Sequence, residues 1–269
     1  MTVCVEIAVK GQLGDLSFDA SHDAIGSASN MFLLADKASH AGRRTLQSVV
    51  AGLPEDGRYG AVVRYFPLET AVGADAAAVV NVVLNGIEEI ENAPEPRIPT
   101  GFDVTMTESV ARLAERLRGG IEALDLTSIN GVRGRTVTVV PTLAQKVRSA
   151  IRPAEQAWGT IEGVVDLLSA RGKSPSFGIL ERLERRHIRC NVSTDDLQRA
   201  REFFGLRVVV SGRMQLNRVY QVVRIDVESI DRLPENHELP AIDTLFGSVP
   251  TFTGGVEPAA YVRAMRDDD

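Results

Sequence analysis

The residue types that do chemistry are sparse in this chain and rarely share a face. Its four histidines are His22, His40, His187 and His237, and its two cysteines are Cys4 and Cys190. No histidine pair brackets a glutamate at the i, i+4 spacing of a hydrolytic zinc helix. Two cysteines are too few for a disulfide framework or a four-thiolate zinc site. His187 and Cys190 stand three apart in a segment with strand alternation, and an odd separation puts them on opposite faces. That excludes a thiolate–imidazole dyad there, and Cys190 reads as a small core residue. Cys4 reads as structural too. The run GVRGRT at 131–136 has glycines and arginines but no P-loop lysine and no long helix after it, so it reads as a basic turn. No G-x-S-x-G elbow is present. One acidic grouping could hold a hard cation: Asp15, Asp19 and Asp23, with His22, in a segment read as a loop. Scattered surface carboxylates are the commoner explanation. We therefore expect no catalytic residue, no metal and no cofactor, and a protein that acts by binding rather than as an enzyme. The acidic grouping is where an active site could still assemble.

Positive charge is better organised. The whole chain carries −6, with 30 Lys and Arg against 36 Asp and Glu. Residues 157–233 hold 13 Arg and Lys against 10 Asp and Glu, a net of +3, which leaves −9 for the remainder. Arg171 and Lys173 lie together, Arg182, Arg185, Arg186 and Arg189 surround His187, and Arg213 and Arg218 flank a turn before Tyr220. Arginine pairs with phosphate in a bidentate fork and stacks on bases. Phe177, His187 and Tyr220 are the rings available for stacking, although Phe177 is weighted towards the core. Against this, aromatic residues make up only 5 % of the chain, Glu181 and Glu184 interleave the arginines as on an ordinary solvated face, and +3 is modest for a nucleic-acid domain.

The elements that must hold these residues come from periodicity. Residues 3–9 alternate as a strand, 28–50 carry a helical apolar stripe, and 61–68 read as a strand in which Pro67 demands an edge or an end. Residues 74–90 suit a buried helix and 107–118 another, stopped by Gly119 and Gly120. A strand pair over 121–129 and 135–140 turns at Asn130-Gly131, and a short helix at 141–150 follows. From 153 onwards the pattern changes: strands at 161–167, 177–182 and 187–192, a helix at 195–204 capped by Ser193 or Thr194, then strands at 207–213 and 220–230. The composition, 44 % apolar and 25 % charged, excludes a mostly disordered chain. No apolar run reaches membrane-spanning length and no secretory leader is evident, so a cytoplasmic protein with no membrane contact is expected.

Three strands, a helix and two strands, with Gly163 and Gly212 inside strands where a small barrel needs close backbone approach, resemble the OB-fold. The segments GTIEGVVDLLSA, RRHIRCNVS, GLRVVVSGRMQ and VVRIDVESIDRL also resemble the C-terminal part of uncharacterised bacterial proteins of similar length, a likeness that implies no activity. The expected fold class is α+β: an α+β domain over 1–152, an OB-like five-stranded barrel over 153–240, and a tail over 241–269. The OB resemblance implies that the face of the second and third strands and the adjoining loops form an oligonucleotide site. It would comprise Arg171, Lys173, Arg185, Arg186, His187, Arg189, Arg213, Arg218 and Tyr220. Single-stranded DNA or RNA is then the expected partner. The alternative is a protein–protein assembly or regulatory adaptor that binds no nucleic acid, with 74–83 as a docking surface if exposed.

Overall fold

The computed structural model describes residues 2–12, 15–40, 43–55, 58–71, 73–169, 175–181, 186–234, 238–239 and 253–267. Strand β1 (Val3–Gly11) follows its alternation: Val3, Val5, Ile7 and Val9 are buried in the core, and Glu6 and Lys10 face the other way. Helix α1 (Phe18–Ser39) begins where the Ser17 hydroxyl accepts the Ala20 N–H. It is joined to β2 (Leu46–Gly52) by the fully buried Asp36, whose carboxylate accepts the N–H groups of Thr45 at 2.7 Å and Leu46 at 2.9 Å, and the Thr45 hydroxyl. Strand β3 (Gly60–Pro67) leads to α2 (Ala76–Asn92), capped by Asp75, and α3 (Val104–Glu115), capped by Asp103. Strands β4 (Ile121–Asn130) and β5 (Val132–Val139) turn through Gly131 at φ +74°, and α4 (Leu143–Ala150) follows.

The first sheet has the order β2-β3-β1-β4-β5, antiparallel at every step. The order β1-α1-β2-β3-α2-α3-β4, with β1 between β3 and β4, follows the split βαβ arrangement with one helix more in the second crossover. Helices cover one face and bury its valines and isoleucines. On the opposite face Glu6 and Asp125 are buried beneath cations: Arg58 and Arg133 each lie 2.7 Å from Glu6, while Lys10 (2.9 Å) and Arg58 (3.1 Å) hold Asp125.

The second sheet is built from β6 (Glu155–Ser169), β7 (Ser176–Glu181), β8 (His187–Asn191), β9 (Arg207–Leu216) and β10 (Val222–Arg232), with α5 (Thr194–Glu202) between β8 and β9. The long β6 pairs with β9 over its first part and with β7 over its second. Strand β10 joins β9 antiparallel and β8 parallel, which closes the ring. The interior holds Ile161, Val165, Phe177, Ile179, Ile188, Cys190, Val208, Val210 and Ile225. Burial pushes the Cys190 thiol far above its ordinary range. Gly163 and Gly212 sit where strands press together: a Cβ would lie 2.7 Å from the Leu180 carbonyl oxygen at the first and 2.2 Å from that of Asp226 at the second.

Residues 1–232 form one compact unit with two apolar clusters, and residues 233–269 form a second. The stretch expected as a tail carries helix α6 (Pro258–Asp267). No described helix is long and apolar enough to cross a membrane.

The structure departs from the sequence reading in two places. The helix read over 28–50 is α1, which starts at Phe18 and ends at Ser39; Leu46 and Val49 belong to β2. Their positions continue the 3.6-residue stripe only by coincidence, and the carboxylate of Asp36 ties down the chain between. Asp19, His22 and Asp23 therefore stand on α1 rather than in a loop. Residues 74–83 are buried as the helical pattern suggests: Ala76, Val79, Val80 and Val83 face the core, which leaves no broad apolar docking surface there. Packing here outweighs the modest helix preference of valine.

Two helix glycines separate packing from propensity. A Cβ on Gly86 of α2 would lie 2.3 Å from the ring of the buried Phe102, whereas one on Gly26 of α1 meets nothing within 4 Å. Gly86→Ala should destabilise by about 1–3 kcal/mol through overpacking. Gly26→Ala should stabilise by about 0.5–1 kcal/mol through helix entropy. Denaturant unfolding of the two variants measures both; equal effects would contradict this assignment.

Candidate nucleic-acid interface

Register determines what the outside of the barrel presents. Arg189 pairs with Gly178 of β7 on one side and Arg224 of β10 on the other, and Arg224 pairs with Gln215 of β9. One step along, Asn191 pairs with Ser176 and Asp226, Asp226 with Arg213, and Arg213 with Trp158 of β6. Side chains of laterally paired residues share a face, so these form two adjacent rows around the ring. Within the second row Asn191 Nδ2 donates to Asp226 Oδ1 at 2.9 Å, and Gln215 Nε2 of the first row approaches Asp226 Oδ2 at 3.4 Å. Trp158 is 65 % exposed, with the Arg213 guanidinium 6.0 Å from its ring centroid, the outer limit for a cation–π contact. Arg189, Arg213 and Arg224 are exposed. The surface thus carries three cations, one carboxylate held by amides, and an open indole.

A cleft of about 620 Å³ opens beside these rows, between them and the start of α3. Arg189, Arg224, Asn191 and Ser176 line one side, and Asp103, Thr105 and Glu108 the other. Burial raises the Asp103 carboxyl above its ordinary pKa, against the lowering effect of its bond from the Met106 N–H and the nearby His187.

His187 does not lie free on this surface. Its Nε2 donates to the Ala38 carbonyl at the end of α1, and its Nδ1 lies 3.0 Å from Asp166 Oδ2, as an ion pair out of line for a good hydrogen bond. Asp166 reaches that position because it is the extra residue of a bulge: Val165 pairs with Ile179 and Leu167 with Gly178, which leaves Asp166 unpaired between them. A carbonyl and a carboxylate are both acceptors, so the arrangement favours the doubly protonated imidazolium. Desolvation pulls the His187 pKa down, but Asp166, Asp103 and the Ala38 carbonyl more than offset it, and the net shift is upwards. His187 fastens the barrel to the α+β layer.

The other expected site residues are dispersed. Arg186 is buried and lines a separate recess with Ala38 and Arg97. Arg218 and Tyr220 lie in the β9–β10 turn, where Tyr220 is 69 % exposed at φ +60°. That turn is built on the buried Asn217, which accepts the N–H groups of Val219 and Gln221 and donates to the Ala150 carbonyl. Arg171, Lys173 and Arg185 lie outside the described residues. Phe177 belongs to the barrel core. Among the rings weighed from sequence, only Tyr220 is exposed as a platform. Trp158 and Arg224 complete the surface without having been singled out. Parity was the available signal, since Trp158 shares even numbering with the outward Thr160 and Glu162.

No protein-family model and no curated protein matches this chain.

The fastening at His187 sets a pH dependence. A histidine whose pKa is raised on folding adds stability below its ordinary value, and that stability is lost as pH climbs through the raised one. The raised Asp103 has the same sign, since its ionisation above the ordinary carboxylate range is penalised in the fold. Thermal stability should therefore fall as pH rises above the ordinary histidine value of about 6.5. His187→Gln, which keeps the donor to Ala38, should flatten the profile, and an unchanged slope in that variant would contradict the assignment.

Proposed function

We propose that the barrel is an OB-fold and that the protein binds single-stranded nucleic acid along its outer face, without catalysis. The strand sequence around the ring is first, second, third, fifth, fourth, with a helix between the third and fourth, which supports the OB reading. The observation that carries the functional reading is the alignment of Trp158 and Arg213 with Arg224 and Arg189 on adjacent rows. Strands lie about 4.8 Å apart, so these side chains meet a strand of nucleic acid as a stacking ring followed by a series of phosphate partners. Arg213 beneath the indole leaves one ring face for a base. Asp226 is the one carboxylate in the rows, and its hydrogen bonds from Asn191 and Gln215 moderate its repulsion of phosphate.

Two kinds of loss distinguish the parts. Fluorescence anisotropy with mixed-sequence single-stranded DNA and RNA over a salt series should give affinity that falls as salt rises, with a log–log slope of about −2 for three phosphate contacts. Arg189→Ala or Arg224→Ala should make the slope shallower by about 0.7. Trp158→Ala should weaken binding by about 1–3 kcal/mol and leave the slope unchanged. Absence of binding at low salt to either polymer would overturn the reading.

A further inference from the structure

We infer that the α+β layer holds a second binding site, for a neutral, extended, largely apolar small molecule with a single polar group. The site is a cleft of about 1370 Å³ between the first half of α1 and the ends of β1, β2 and β3. It is larger than the roughly 300–1,000 Å³ of a drug-sized pocket, which suits an extended ligand. Phe18, Val50 and Leu53 stand at its edge, each at least 70 % exposed, although large apolar side chains concentrated in one place are disfavoured on a free surface. Phe18 stacks with His22 at 6.5 Å and meets Tyr59 edge-on at 6.3 Å, so one wall is aromatic.

Two further observations point to a ligand. Ser21 lines the cleft, is 1 % exposed, and its hydroxyl has no hydrogen-bond partner. A buried orphan hydroxyl is costly, and a single donor or acceptor on a bound molecule would satisfy it. Gly26 lies on α1 along the same cleft, where a Cβ would meet nothing within 4 Å. No packing neighbour demands glycine there, and its missing side chain keeps the cleft open. The cations at the rim do not call for an anion: Lys10 is paired with Asp125, and Arg58 with Glu6 and Asp125. This site is independent of the barrel surface.

The test is a fluorescence titration of the full chain with N-phenyl-1-naphthylamine, a neutral aromatic probe with one N–H. Saturable, single-site enhancement is expected. Gly26→Leu should weaken it by about tenfold or more by filling the cleft, with no loss of thermal stability. Ser21→Ala should weaken it about fivefold, the value of one hydrogen bond. Should Gly26→Leu impair folding, Leu53→Glu at the exposed rim replaces it and should also weaken the probe. No saturable enhancement by the native chain, or enhancement that survives both Gly26→Leu and Leu53→Glu, would overturn the inference. So would sedimentation that shows a dimer abolished by Leu53→Glu, which would make a second copy of the chain the occupant.

Discussion

The barrel surface depends on a ladder of three residue pairs. Strands β8 and β10 meet in parallel through Arg189 and Arg224, Cys190 and Ile225, and Asn191 and Asp226. Side chains alternate along a strand, so this register alone decides which set faces out. With it, Cys190 and Ile225 fill the interior while the two arginines stand side by side outside. A slip of one residue by either strand would turn its arginine into the interior and its core residue outward. Parallel pairing at the closure, in an otherwise antiparallel ring, is also what the crossover through α5 and β9 requires.

Coupling between the barrel and the α+β layer rests on a few buried polar links set in apolar contact. His187 reaches the last turn of α1, Asn217 reaches the end of α4, and the Gln221 side chain donates to and accepts from the backbone of Ile98. Val223 of β10 packs in the core of the first sheet, not in the barrel. Each link pairs a side chain with main-chain groups that would otherwise be left unsatisfied near a helix end or loop. These links fix the barrel face relative to α3, so the cleft beside Arg189 and Arg224 has a defined width.

Much of this architecture was legible because local pattern and tertiary role agree. Period-two alternation located the barrel strands, Asn130-Gly131 located a turn, and odd spacing separated His187 from Cys190. What was not legible depends on partners far away in sequence. The Asp36 carboxylate sets the start of β2, yet nothing near residue 36 announces that role. The partner of His187 lies 149 residues earlier. Asp166 looks like an ordinary polar residue in a strand until pairing shows it to be a bulge. Of the surface proposed for nucleic acid, Arg189 and Arg213 were found as local clusters of charge. Trp158 and Arg224 required the register of neighbouring strands before they joined them.

The dual role of β10 bears on the order in which the chain emerges during synthesis. The first sheet has all its strands by residue 139, and its helices by residue 150. Its core still lacks Val223, and the ring of β6 to β9 still has two unpaired edges. One segment, Val222–Arg232, then completes both cores and covers both edges. A nascent or truncated chain that stops before it exposes apolar surface in one layer and open strand edges in the other. Both hazards end together, with the arrival of a single strand.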